Sequence, residues 1–115
     1  MTEENFAALQ SIHAMDQFIS ENQLAFLYVT MPNCSVCHGL LPQIERIFEQ
    51  YPKIATRTID ASEVQEIAGR LQIFTAPVLI LFVEGKEYLR EARIIQTAKL
   101  NEQIAKVYEN MVDLD

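Results

Sequence analysis

The sequence predicts an α/β fold: a central mixed, mostly parallel sheet with helices on both faces, in the order β-α-β-α-β-α-β-β-α. Three observations predict it. Two runs, LAFLYVT at 24–30 and VLILFV at 78–83, are short and apolar throughout, as strands buried on both faces are. Around them, apolar residues recur at three- and four-residue spacing, which marks amphipathic helices. The two patterns alternate, and alternating units imply a mainly parallel sheet covered on both sides.

The elements follow in order. Ala8 to Ser11 reads as a short edge strand. Met15, Phe18 and Ile19 keep helical spacing, so a helix runs from about His13 to Glu21. The first buried strand covers 24–30, and MPNC turns the chain. From Ser35 to Gln50 the residues Leu40, Leu41, Ile44, Ile47 and Phe48 form one stripe, with Pro42 inside it as a kink or a first-turn marker. Tyr51-Pro52 ends that helix, and Ile54 to Ile59 is a moderately polar strand. Ser62 with Gln65 fits a capping box. It opens a short helix whose stripe is Val64, Ile67, Ala68 and Leu71. Thr75-Ala76-Pro77 breaks the pattern before the second buried strand, 78–83. Glu84-Gly85 turns into a returning strand from Lys86 to about Ile94. A last helix starts near Thr97, with Leu100, Ile104, Val107, Tyr108 and Met111 as its stripe.

Composition sets bounds on function. The 115 residues fit one domain, 1–115, and half of them are hydrophobic, enough for a core at this size. The net charge of −7 argues against a general nucleic-acid binder, which would carry a basic patch. No stretch is apolar for the ~20 residues that a membrane span needs. The acidic start, MTEENFAALQ, lacks the positive region and apolar run of a secretory signal. The sequence therefore reads as cytoplasmic and monomeric, with neither nucleic acid nor membrane as partner. Only two cysteines occur, three apart. A small secreted domain stapled by disulfides would carry more, spread along the chain.

Those cysteines lie in PNCSVCHG, residues 32–39. The letters alone fit a redox dithiol, half a zinc site, a structural disulfide or a c-type haem attachment site. Their placement says more. Cys34 falls where a buried strand ends and a helix begins, the end of an open α/β sheet at which sites lie. Free N–H groups and the positive end of the helix dipole stabilise a thiolate there. Cys37 is one turn further on the same side, within disulfide reach. Cys34 can thus attack a disulfide, and Cys37 can resolve the mixed intermediate.

From about residue 8 to 110 the chain resembles the thioredoxin superfamily, and in particular its small bacterial thioredoxin-like proteins. The resemblance rests on a strand, then Cys34-Ser35-Val36-Cys37, then a helix with Pro42 eight residues beyond the first cysteine. It continues with Thr75-Ala76-Pro77 before the next apolar strand, then Phe82 and Gly85 at the hairpin. It implies the thioredoxin fold and a thiol-disulfide oxidoreductase serving cell redox homeostasis. Cys34 and Cys37 would be the catalytic pair, and their disulfide would be the only cofactor. The substrates would be protein or small-molecule disulfides, with electrons from a reductant the sequence does not identify. It also implies a cis peptide at Pro77 and a substrate groove formed by Thr75, Ala76 and Pro77 with Asn33 and Arg93. Five positions depart from the family pattern. Asn33 stands where the family has Trp, and Ser35-Val36 where it has Gly-Pro. Tyr28 replaces a buried acid, and Arg93 replaces a groove glycine.

The competing readings are weaker. Zinc needs about four ligands, and adjacent Cys37 and His38 point apart on a helix, so no metal site is expected. Haem attachment needs export and would displace the packing of Leu40, Leu41 and Ile44. His38 is a candidate proton acceptor for the thiols, since a histidine can titrate near neutral pH. The other reading of the whole chain is a thioredoxin-like binding or redox-sensing module with little turnover.

Overall fold

The computed structural model describes residues 5–112. The outermost residues of the expected 1–115 domain, 1–4 and 113–115, lie outside the described residues. The elements are β1 (Ala7–Leu9), α1 (Ile12–Glu21), β2 (Leu24–Thr30), α2 (Ser35–Phe48), β3 (Ala55–Asp60), α3 (Glu66–Leu71), β4 (Val78–Val83), β5 (Lys86–Ala92) and α4 (Thr97–Val112). They form one five-stranded sheet in the order β1-β3-β2-β4-β5.

Strand parity divides the core. Leu24, Phe26 and Tyr28 of β2 and Leu79 and Leu81 of β4 face α2 and α4, meeting Leu40, Ile44, Leu100 and Ile104. Ala25, Leu27, Val29, Val78 and Ile80 face α1 and α3, meeting Met15, Phe18, Val64 and Ile67. Both central strands are therefore buried at every position but the last, because neither face of the sheet meets water there. Each fully buried Leu, Ile or Phe contributes about 1.5–3 kcal/mol of apolar transfer, offset by the entropy of ordering the chain.

The sheet is less parallel than expected. β1–β3 and β2–β3 pair parallel, but β2–β4 pairs antiparallel, as does the β4–β5 hairpin. The reason is the length of α3. Six residues of helix span only about 9 Å, against about 20 Å for the six residues of β3. So short a helix does not carry the chain back along the sheet, and β4 enters from the end that β3 has just left. Pro77 is thereby carried to the carboxyl end of β2, where α2 begins.

Several boundaries shift, each for a local reason. The edge strand ends at Leu9, not Ser11, because the Ser11 hydroxyl caps α1 by accepting from the Ala14 N–H at 3.0 Å. The Ser62–Gln65 capping box does not form. The Asp60 carboxylate accepts both the Ser62 N–H (2.8 Å) and the Ser62 hydroxyl (2.7 Å), so Ser62 acts as donor and α3 starts only at Glu66. A carboxylate outcompetes neutral acceptors for the same donors, and Ser62 holds its pKa below the usual range. Ala68 is exposed, so the buried stripe reduces to Val64 and Ile67 with half-buried Leu71. β5 ends at Ala92 rather than Ile94, because Arg93 turns to φ 68°. Helix α2 stops at Phe48 and runs through Pro42, whose missing N–H leaves the exposed His38 carbonyl without its usual i+4 donor.

Candidate active site

The site is assembled from three loops at one end of the sheet. β2 ends at Thr30 and the chain reaches Cys34 in four residues. Val29 of β2 pairs with Val78 of β4, and Val78 pairs with Ala92 of β5. The residues just beyond that row, 31–39, 72–77 and 93–96, therefore crowd together. The Arg93 N–H donates to the Pro77 carbonyl at 3.1 Å and ties two of the loops. The Arg90 guanidinium donates to the Leu71 carbonyl at 2.8 Å and holds the end of α3 against β5.

Asn33 takes φ 63°, a left-handed conformation that asparagine tolerates better than most side chains. This turn places Cys34 at the N-cap of α2. Its Sγ accepts from the Cys37 N–H at 3.2 Å, the role a serine or aspartate oxygen plays at other helix starts. The same sulfur is bonded to Cys37 in a disulfide with Cα atoms 5.3 Å apart. Cys34 is half-buried, while Cys37 is 1% exposed, so only the first sulfur meets solvent.

Beneath the pair lies Tyr28, also 1% exposed, on the strand parity that faces α2. Its hydroxyl donates to the Cys37 carbonyl at 2.6 Å. Burial pushes the phenol up to about 12, so it holds its proton throughout the neutral range. Besides the two buried tyrosines, Tyr28 and Tyr51, Thr56 is the only buried polar side chain among the described residues, and no carboxylate or imidazole is buried there. Among the described residues, no cluster of His, Cys, Asp and Glu could hold a metal. No helix among them is long and apolar enough to cross a membrane.

Of the residues singled out in the sequence, Cys34, Cys37, Asn33, Thr75, Ala76, Pro77 and Arg93 all fall on these loops. The Ala76–Pro77 peptide is cis. Pro77 is buried, Thr75 and Ala76 are half-buried, and Asn33 and Arg93 are exposed. His38 is exposed in the first turn of α2, and its N–H donates to the Cys34 carbonyl at 3.3 Å. Phe74 and Ile94 were not singled out, and Val36 was named only within the departure from Gly-Pro, although all three belong to these segments with their side chains in solvent. Spacing hid them: Val36 stands four residues before Leu40, in line with the buried stripe of α2, and Ile94 ends the expected returning strand. A groove of about 370 Å³ lined by Phe6, Phe48, Tyr51 and Ile54 lies at the other end of α2 and touches neither cysteine.

A dithiol capping a helix at the carboxyl end of a central strand, with a proline loop facing it, defines a thiol-disulfide oxidoreductase of the thioredoxin class. The chain belongs to the thioredoxin family, whose model, described as Thioredoxin, matches residues 7–109. It is 39% identical to the thioredoxin-like protein YdfQ of Bacillus subtilis (strain 168) over 105 residues, 91% of this chain and 94% of that protein. It is 31% identical to thioredoxin-1 of Saccharomyces cerevisiae over 72 residues, 63% of this chain and 70% of that protein. Among solved structures, oxidised thioredoxin O2 from Arabidopsis thaliana superposes with a TM-score of 0.82 at 20% identity, covering 92% of this chain and 96% of that one. Oxidised thioredoxin from Plasmodium falciparum gives 0.81 at 21% identity, covering 90% and 99%. At those identities the structural matches speak for the fold. Proteins of this family act on protein disulfides with a reductant, and their redox disulfide is intrinsic to the chain.

Proposed function

We propose that this chain exchanges disulfides with its substrates through the Cys34-Ser35-Val36-Cys37 dithiol, contributing to cell redox homeostasis as a monomeric, single-domain cytoplasmic protein. The Cys34 thiolate attacks one sulfur of a substrate disulfide. A Cys34–substrate bond forms, the substrate S–S bond breaks, and the other substrate sulfur leaves as thiolate. Cys37 then loses its proton and attacks Cys34 Sγ. The Cys34–Cys37 disulfide forms and the second substrate thiol departs. Two electrons pass from the protein dithiol to the substrate, and a reductant, a reductase or a thiol pool, restores the pair.

The observation that carries this reading is the asymmetry of the two sulfurs. Cys34 caps α2 and receives the Cys37 N–H, whereas Cys37 is buried behind it. Only the outer sulfur is placed to meet a substrate, and the helix N–H that it accepts would favour its thiolate. Cys37→Ser should accumulate mixed disulfides with substrate proteins or with a model disulfide, and Cys34→Ser should not. Mass spectrometry of the unreduced protein checks this. Equal trapping by the two variants would overturn the assignment of roles.

A further inference from the structure

Four large apolar side chains stand exposed among the described residues: Val36, Phe74, Tyr88 and Ile94. Three of them belong to the loops around Cys34. Val36 lies between the cysteines and is 59% exposed; Phe74 precedes the Pro77 loop at 87%; Ile94 follows Arg93 at 83%. Exposed apolar groups gathered at one place mark an interaction surface.

The charge of the same loops is unusual for this chain. The sequence holds 16 Asp and Glu against 9 Lys and Arg. Residues 31–39 (MPNCSVCHG), 72–77 (QIFTAP) and 92–96 (ARIIQ) contain no acidic residue. Their one Lys or Arg is Arg93, exposed, with its backbone fixed to Pro77 and no ion pair among the described residues. Asp60 also lies at this end of the sheet, but its carboxylate is turned onto Ser62. Those three loops of an acidic protein thus carry exposed apolar side chains, no carboxylate of their own and one guanidinium without an ion pair among the described residues.

We infer that Arg93 is a specificity-determining residue that selects polypeptide disulfides carrying a carboxylate beside the attacked cysteine, with neighbouring apolar residues seated on Val36, Phe74 and Ile94. This inference rests on the oxidoreductase reading above and names its substrate class. The guanidinium offers several donors in a planar fork matched to a carboxylate. The remaining negative charge of the protein repels acidic chains that approach elsewhere, so the complementarity is confined to the site. The extent of the apolar surface favours a polypeptide over a small disulfide.

The test uses disulfide-linked homodimers of a short synthetic peptide, in which both sulfurs are equivalent. The peptide holds a leucine and a tryptophan, with either Glu or Lys next to the cysteine. The protein has no Trp, so peptide fluorescence reports release of the two peptide thiols cleanly. Pre-reduced protein in excess supplies both electrons in a single turnover. At low ionic strength the Glu homodimer should react about fivefold faster than the Lys homodimer, a ratio that shrinks as salt is added. Arg93→Gln should bring the ratio near one, and Arg93→Lys should restore part of it. Lys53→Gln, which removes a charge at the other end of the sheet, should keep it. A parent ratio of one, or a ratio that survives in Arg93→Gln, overturns the inference and leaves the oxidoreductase reading intact. Oxidised glutathione reacting as fast as the Glu homodimer overturns the polypeptide part. If neither homodimer is reduced, the oxidoreductase reading falls and this inference falls with it.

Discussion

Replacing Tyr28 with Asp should speed the resolving step at neutral pH while weakening the fold. Once Cys34 is tied up in a mixed disulfide, Cys37 must lose a proton before it can attack. A free thiol has a pKa of about 8.5, so only about 3% is thiolate at pH 7, and burial lowers that fraction further. The Tyr28 hydroxyl is in contact with the Cys37 carbonyl, but it donates there and holds its proton up to about 12. It cannot receive the thiol proton. Without a buried acceptor, the resolution rate should climb about tenfold per pH unit below pH 8.5. A carboxylate at position 28 would supply an acceptor, raise the rate at pH 7 by up to about 30-fold, and flatten the profile. The cost is steric and electrostatic. Loss of a fully buried ring costs about 3–5 kcal/mol, and the buried carboxyl adds to it, against about 5–15 kcal/mol for a whole domain. Tyr28→Phe is the control. It loses one hydrogen bond, about 1–2 kcal/mol, and should keep the parent's pH slope. In the assay, reduced protein meets a chromogenic aryl disulfide at pH 5, where resolution is slow. It is then jumped by stopped flow to pH values from 6 to 9, and release of the second aryl thiolate is followed. If the Asp variant is folded by circular dichroism and its rate and pH profile match the parent's, the missing-acceptor reasoning is wrong and position 28 is only core.

Two further outcomes probe the same frame. The folded Tyr28 phenol titrates near 12 and the unfolded one near 10, so stability is intact below pH 10 and falls as pH rises through 12. Urea unfolding at pH 9 and 11 should show the parent losing about 1.4 kcal/mol more than Tyr28→Phe, and equal losses would contradict the burial of the hydroxyl. Gln72 caps α3 at φ 56° with its N–H on the Ala68 carbonyl, a conformation that glycine adopts without strain. Gln72→Gly should therefore raise the unfolding free energy by about 0.5–1 kcal/mol, seen as a higher urea midpoint with an unchanged slope, and a lower midpoint would refute the strain.

The parts of the fold that were legible in the sequence are those where burial dictates residue type. LAFLYVT and VLILFV could only be central strands, because both faces of the sheet are covered at 24–30 and 78–83. The stripe Leu40, Ile44, Phe48 reads directly as the buried side of α2. Polar competition was not legible. Ser62 satisfies a capping pattern with Gln65, yet Asp60, two residues earlier, captures its hydroxyl, and only the folded turn brings that carboxylate into reach. The direction of β4 was hidden for a related reason. Pattern marks α3 as a helix, but the consequence of its six residues depends on how far the chain must travel to re-enter the sheet.

That short helix also explains why the site could be read as motifs but not as a surface. Because β4 starts where β3 ends, the proline loop, the dithiol turn and the end of β5 meet at one edge, though Cys34 and Arg93 lie far apart in sequence. Each motif is local and visible in the chain; their shared edge is a product of the sheet. The contacts that give the site its character cross between the motifs. The Tyr28 hydroxyl reaches from a strand to the Cys37 carbonyl, and the Arg93 N–H reaches from one loop to Pro77. Both positions depart from the family pattern, and both departures act on the dithiol's surroundings rather than on its sulfurs. On the proposals above, position 28 would govern where the resolving proton goes, and position 93 which charge faces the incoming disulfide. The two effects should therefore separate. A change at 28 should move the pH profile of resolution without altering the Glu-to-Lys preference, and a change at 93 should do the reverse.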